Sequence, residues 1–231
     1  MAENTEMAQA RLQARAFMYQ MAHTVFSGEP DETLFDALAS DACRETLHGL
    51  AAECAGVAPL ATLCDGVAES AETRAAEFER SVSDCNRAII GLGANRASHP
   101  WESAYTNNRG LLFHEETLEV RNAYRAFGYI PEMYPKVADD HIALECAFMA
   151  ALANGAVSAY AADCDEELDR LLGGLHCFTR DHLLKWLPAY AADLEKDAAG
   201  GLYAAAAAAL AAFAAHDEAI LAAGRAERGA A

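Results

Sequence analysis

Apolar residues recur along most of the chain at three- and four-residue intervals, and no stretch alternates residue by residue, so the pattern predicts helices and no strands. Leu12, Phe17, Met21 and Val25 form such a stripe between Thr5 and Phe26, and Ser27-Gly28-Glu29-Pro30 ends it. Asp31 is placed to cap the next helix, with short helices expected over 31–40 and 41–55 and an interruption at Gly56 and Pro59. Val67–Leu92 reads as one long amphipathic helix, with Val82, Ile89 and Leu92 on its stripe and Gly91, Gly93 and Asn95 at its end.

The pattern then breaks. Residues 95–117, NRASHPWESAYTNNRGLLFHEET, are rich in Asn, Ser, Gly and Pro yet carry Trp101, Tyr105 and Phe113. Aromatic rings in a loop either pin it to a core or line a binding surface. A helix over 115–127, with Leu118, Arg121 and Tyr124 in register, ends at Gly128. YIPEMYPKVAD, with two prolines and no period, marks a hinge at 128–139. Helices over 139–162, 165–189 (softened or broken at Gly173-Gly174) and 199–223 complete an all-α reading. Residues 1–231 then form one compact helical bundle of roughly ten helices, an N-terminal half of about 5–127 joined by the hinge to a C-terminal half of 140–224.

Composition sharpens this picture. Alanine supplies about a quarter of the residues, which favours helices and close helix approach. The net charge of −18 repels phosphate backbones and anionic lipid, so nucleic acid and membrane surfaces are excluded as partners and a basic partner fits. Seven cysteines without a CxxC pair read as buried thiols of a reducing cytoplasm. The first 25 residues have no uninterrupted apolar core, so neither a secretory signal nor a membrane anchor is expected there, and Ala204–Ala212 is too short to span a bilayer.

The candidate chemistry lies in KVADDHIALECAFMAALA, residues 136–153. Asp139 or Asp140 suits the N-cap of an otherwise apolar helix, and Glu145, one turn after His141, is placed to pair with the imidazole. A metal site on His141 and Glu145 lacks a third ligand at matched spacing. A metal-dependent hydrolase that adds His216-Asp217 rests on a two-residue match. No GxSxG elbow and no glycine-rich phosphate loop occurs.

Three segments, WESAYTNNRGLLFHEETLEVR (101–121), YRAFGYIPEMYPKVADDHIALECAFMAAL (124–152) and FTRDHLLKWLPAYAADL (178–194), resemble the TorD/DmsD family of redox enzyme maturation chaperones. The middle segment is the most specific: the family's Asp-His, small residue, Glu and aromatic-Met pattern is matched by Asp140, His141, Ala143, Glu145 and Phe148-Met149. Val137-Ala138 stand where the family commonly has Glu-Pro, and Cys146 replaces a leucine. The resemblance follows the order of segments from about Arg15 to Leu221 and is specific across 101–194.

It implies an all-helical cytoplasmic chaperone without catalytic turnover or cofactor. Its partners would be the twin-arginine signal peptide and the apo form of a molybdopterin-containing reductase subunit, held back until the cofactor is loaded. A NarJ-like chaperone of a non-exported molybdoenzyme is the close alternative. The chain would be a monomer or a hinge-swapped dimer. A receptor for two guanidinium groups followed by an apolar segment needs carboxylates beside an apolar groove. The residues expected to supply them are Asp139, Asp140 and Glu102 for the arginines and Trp101, Tyr105, Phe127 and Tyr134 for the apolar part, with Ser103, His141 and Glu145 alongside. His182 and Trp186 match the family's His-x-x-x-Trp spacing and are expected to pack between helices.

Overall fold

In a computed structural model, which describes residues 2–89, 96–107, 115–131 and 137–229, the chain is helical nearly throughout. The first helix, α1 (Ala2–Phe26), is followed by α2 (Glu32–Ala39) and α3 (Asp41–Glu53). The starts of α2 and α3 have the caps that their sequence supplies. The Asp31 carboxylate accepts from Leu34 N–H at 2.8 Å, and Ser40 Oγ accepts from Cys43 N–H at 3.2 Å.

A 3₁₀ turn at Ala55–Val57 leads into α4 (Ala58–Glu69), where Pro59 opens a helix rather than interrupting one. Gly56 is needed in that turn because a side chain there would overlap Ala212. The long helix expected over 67–92 is two. Ser70 sits in extended backbone and its Oγ accepts from Thr73 N–H at 3.0 Å, so it ends α4 and caps α5 (Ala71–Asp84), which passes into a π turn at Cys85–Ile89. Gly91, Leu92, Gly93, Asn95 and Phe113 lie outside the described residues.

One helical turn, α6 (Ser103–Thr106), and α7 (Glu115–Ala126) precede Gly128, whose positive φ of 67° stops α7 as expected. The inward face of α7 is Thr117, Val120 and Tyr124. Of the residues expected in register, Tyr124 is buried and Arg121 half-buried, whereas Leu118, one position round the helix from Thr117, is 52% exposed.

The central element is α8 (Ile142–Ala161), buried on nearly every side and packed most extensively on α1 and α9 (Asp165–Phe178). α9 runs unbroken through Gly173-Gly174. The interruption comes at a π turn, Thr179–Leu183, just ahead of α10 (Leu184–Ala198), which contains Pro188. The last helix, α11 (Leu202–Gly229), lies against α10 and α1 through its alanines. α8 and Leu202–Ala226 are long and apolar enough to cross a membrane by length and composition, but 67% of the most apolar 18-residue stretch of the first and 50% of that of the second is buried within the fold. Among the described residues, the one strand-like feature is a single antiparallel bridge between Trp101 and His141.

The core is built from α1, α8, α10 and α11 around Tyr19, Phe26, Phe148, Trp186, Tyr190 and Tyr203. Each such ring contributes roughly 2 kcal/mol or more on leaving water. The cysteines divide: Cys43, Cys64, Cys85 and Cys146 are buried and Cys54 is half-buried, whereas Cys164 and Cys177 are exposed, contrary to the expectation of uniformly buried thiols.

Candidate functional site

The bridge at Trp101 and His141 brings the family-like segments together. Glu102 N–H donates to Asp140 C=O at 3.0 Å and Ile142 N–H donates to Pro100 C=O at 2.9 Å, so the loop ahead of α6 is laid along the turn ahead of α8. Neither expected aspartate caps α8. His141 is the N-cap, its Nδ1 accepting from Ala143 N–H at 3.2 Å, while its ring meets Trp101 edge-on at 5.3 Å. Burial lowers the His141 pKa to about 4, against the opposing pull of the Asp140 charge.

Asp140 is fully buried. One oxygen accepts from Ser103 N–H at 3.0 Å and the other from the Thr117 hydroxyl at 3.0 Å, so its carboxylate starts α6 and fastens α7. Asp139, equally buried, is gripped by Arg121 at 2.8 and 2.6 Å, and its carbonyl accepts from Tyr124 OH at 2.7 Å.

Below this layer Glu145 does not pair with His141. Its carboxyl accepts from Trp186 Nε1–H at 3.2 Å, and burial together with the neighbouring Glu102 and Asp140 charges pushes its pKa well up. Glu102, 3% exposed, faces His182 Nδ1 at 3.0 Å. His182 and Trp186 do pack between helices, but each also meets a buried acid, a role that the spacing alone did not reveal.

Tyr105 lies half-buried over Trp186 and Tyr190, at 5.8 and 6.2 Å, and its oxygen accepts from His99 N–H; burial pushes the phenol up to about 12. Trp101 is half-buried with the Arg96 guanidinium 5.9 Å above its ring. At the other end of the 96–107 segment, Asp197 accepts from Ala97 N–H, Ser98 N–H and the Ser98 hydroxyl at 2.6–3.1 Å. Burial opposes its ionisation, but these donors prevail and hold its pKa below the usual range. Sequence reasoning missed Asp197, Arg121 and Thr117, which sit on helices with nothing local to distinguish them.

The expected acid-lined trough is therefore divided. Glu102, Ser103, Asp139, Asp140 and Glu145 are inside the fold, whereas Trp101, Tyr105, Phe127 and His141 keep an exposed edge; Tyr134 lies outside the described residues. Phe127 borders an apolar pocket of 220 Å³ with Ala123, Phe148, Phe178, Asp181 and His182, and its ring fits over α9 only because Gly174 has no side chain. His216 and Asp217 form no site with His141. Asp217 is 3% exposed and held by Arg15 through bonds of 2.6–3.0 Å, and among the described residues no three His, Cys, Asp or Glu side chains are grouped to hold a metal.

The family model described as nitrate reductase delta subunit matches residues 38–192, which contain the bridge, the buried acids and the pocket. The chain is 30% identical over 194 residues to the chaperone protein TorD of Vibrio cholerae serotype O1 strain ATCC 39541, covering 84% of this chain and 85% of the relative. The same protein of strain M66-2 is 29% identical over the same length. The chain belongs to the TorD family of maturation chaperones. No solved structure matches it. The relatives are named chaperones, and this TorD-family chain is likewise a chaperone and not an enzyme. α1 and most of α2, as far as Ala37, precede the span matched by the family model, and α11 follows it; the Arg15–Asp217 pair ties these two flanks together.

Proposed function

We propose that the protein binds the amino-terminal leader of a molybdenum-cofactor reductase subunit in the cytoplasm and holds the subunit until its cofactor is in place, before twin-arginine export. The observation that carries this reading is the TorD match, which covers the α7, α8 and α9 residues that line an apolar pocket near rigidly held acids. Phe127, Trp101, Tyr105 and His141, with Tyr134, are the proposed contact residues. Asp139, Asp140, Glu102, Ser103 and Glu145 are positioning residues that hold these rings at the surface. The arginines would be met by carboxylates such as Asp181 at the pocket rim, which is half-buried and held by Arg180 at 2.8 and 2.6 Å and would exchange that partner for the leader's.

A second reading has its own support. The matching family is described by a nitrate reductase subunit, which favours a client that stays inside the cell and whose leader lacks paired arginines.

Calorimetry with two synthetic leaders tests both. Tight binding of a paired-arginine leader that is lost when the pair becomes Gln-Gln supports the export reading, equal binding of both supports the second, and binding of neither overturns the proposal. Phe127→Ala is expected to weaken the binding about tenfold, close to 1.4 kcal/mol. Asp140→Ala should lower affinity and melting temperature together, because Ser103 N–H and the Thr117 hydroxyl lose a charged acceptor worth about 2 kcal/mol or more.

A further inference from the structure

The apolar pocket between α7 and α9 has Phe127 and Gly174 at one end and Asp181 and His182 at the other. Phe127 closes α7 just before the turn at Gly128, and its ring lies so close over α9 that a side chain at Gly174 would overlap it. One turn back along α9, the Arg170 guanidinium lies 4.8 Å over the same ring. Arg170 Nε and Nη2 also donate to the two carboxylate oxygens of Glu167, at 2.7 Å each. The guanidinium is therefore held on its face by an aromatic ring and along its edge by a carboxylate, the two contacts that best suit an arginine.

The Glu167–Arg170 pair alone would be ordinary, since residues three apart meet on any helix surface. The ring is what sets it apart: it comes from α7 and finds room only because position 174 is glycine. The Arg170 and Glu167 side chains remain 48% and 42% exposed. Ion pairs and cation–π contacts open to water are weakly held, so a second guanidinium arriving from solution can take the place of Arg170. Until it is displaced, the internal occupant lowers the apparent affinity of an external one by the fraction of time that the site is filled.

We propose that the Phe127 ring and the Glu167 carboxylate form a guanidinium-binding site, occupied in the free chain by Arg170 and open to an arginine of a bound peptide. This deepens the leader-binding reading and rests on it for the identity of that peptide. A leader arginine would displace Arg170, stack on Phe127 and pair with Glu167, while the apolar residues after it continue past the same ring into the pocket toward Phe178. Of the two ends of the pocket, this one joins a ring face to its carboxylate, so it is the end that selects a guanidinium over other cations.

The test uses the full-length chain and the blocked dipeptide N-acetyl-Arg-Arg-amide, with chemical shifts read at the Phe127 and Gly174 backbone amides. Saturable shifts are expected there, with a dissociation constant lower by about threefold or more in Arg170→Ala than in the wild type, because the internal competitor is gone. Arg170 lies on the outside of α9, so its removal leaves the core intact. Arg74→Ala removes the same charge from a pair with Glu32 and Asp36, outside the pocket, and should change the constant by less than about twofold. In Arg170→Ala, N-acetyl-Lys-Lys-amide should bind about threefold more weakly than the arginine peptide, because an ammonium cannot stack on the ring and pair bidentately at once. No saturable shift at these amides in Arg170→Ala, equal tightening by Arg74→Ala, or equal binding of the lysine peptide would each overturn the proposal. Calorimetry with the two leaders separates the site from the function it deepens. Dipeptide binding at Phe127 with no binding of either leader supports the site and overturns the leader reading. A paired-arginine leader that binds the wild type and Arg170→Ala equally overturns the site and spares the reading.

Discussion

His141 shows how one side chain serves both the helix and the surface. Its Nδ1 must stay unprotonated to accept from Ala143 N–H, and the ring edge against Trp101 is shielded from water, so protonation is resisted until about pH 4. In the unfolded chain the same imidazole takes up a proton near pH 6.5. The folded pKa is the lower of the two, so this contribution to stability is intact above about 6.5 and is lost as the pH falls toward 4. The wild type should therefore lose about 2 kcal/mol more between pH 7 and pH 4.5 than His141→Asn, since asparagine can keep the cap without the titration. Urea titrations at both pH values measure the difference, and parallel losses in the two proteins would contradict it. The Asp140-His141 pair itself was legible in the sequence, but its use was not. The partners of Asp140 are Ser103 and Thr117, 37 and 23 residues earlier, and no local pattern connects them.

Among the elements, the 96–107 segment owes its form almost wholly to distant groups. Its own sequence is a loop, and its order comes from Asp197 at one end, Asp140 and the bridge to His141 at the other, and Glu102 facing His182 between. Asp197→Ala removes an acceptor shared by two backbone N–H groups and a hydroxyl, and should cost about 2–3 kcal/mol. Hydrogen exchange is the sensitive measurement. Amide protection at Ala97 and Ser98 should be lost with α8 and α11 unchanged, whereas unchanged protection would show that the α6 end alone orders the segment. The sequence anticipated elements with strong local signals. α1, α2 and α7 begin and end close to their expected bounds because Asp31, Pro30 and Gly128 mark them. It misjudged Ser70, which reads as an ordinary helix-surface serine until its backbone is seen extended, and the π turn at Thr179–Leu183, which no residue type announces. Gly173-Gly174 looked like a break, but Gly174 provides the seat for Phe127.

At the scale of the whole molecule, 35 acids against 17 bases act on folding and on client binding with opposite signs. Two of the buried acids are neutralised within the fold, Asp217 by Arg15 and Asp139 by Arg121, and most of the surplus negative charge lies on the surface, where it is open to screening. Self-repulsion of that surface weakens the folded state at low salt, where the screening length is about 30 Å, and is relieved near 0.1 M, where it is about 10 Å. Melting temperature should therefore rise by a few degrees between about 10 and 200 mM NaCl. Under the proposed function a leader carrying paired arginines would be drawn in by the same field, so its affinity should fall over that interval, by about tenfold if two charges are engaged. On the proposed reading its apolar portion would sit in the pocket lined by Phe127 and Phe178, would be insensitive to screening and would set the affinity that remains at high salt. Calorimetry and thermal melts in matched buffers read the two trends together. A leader affinity that does not change with salt would mean that its arginines meet no carboxylates, and would move the weight of recognition to the apolar pocket alone.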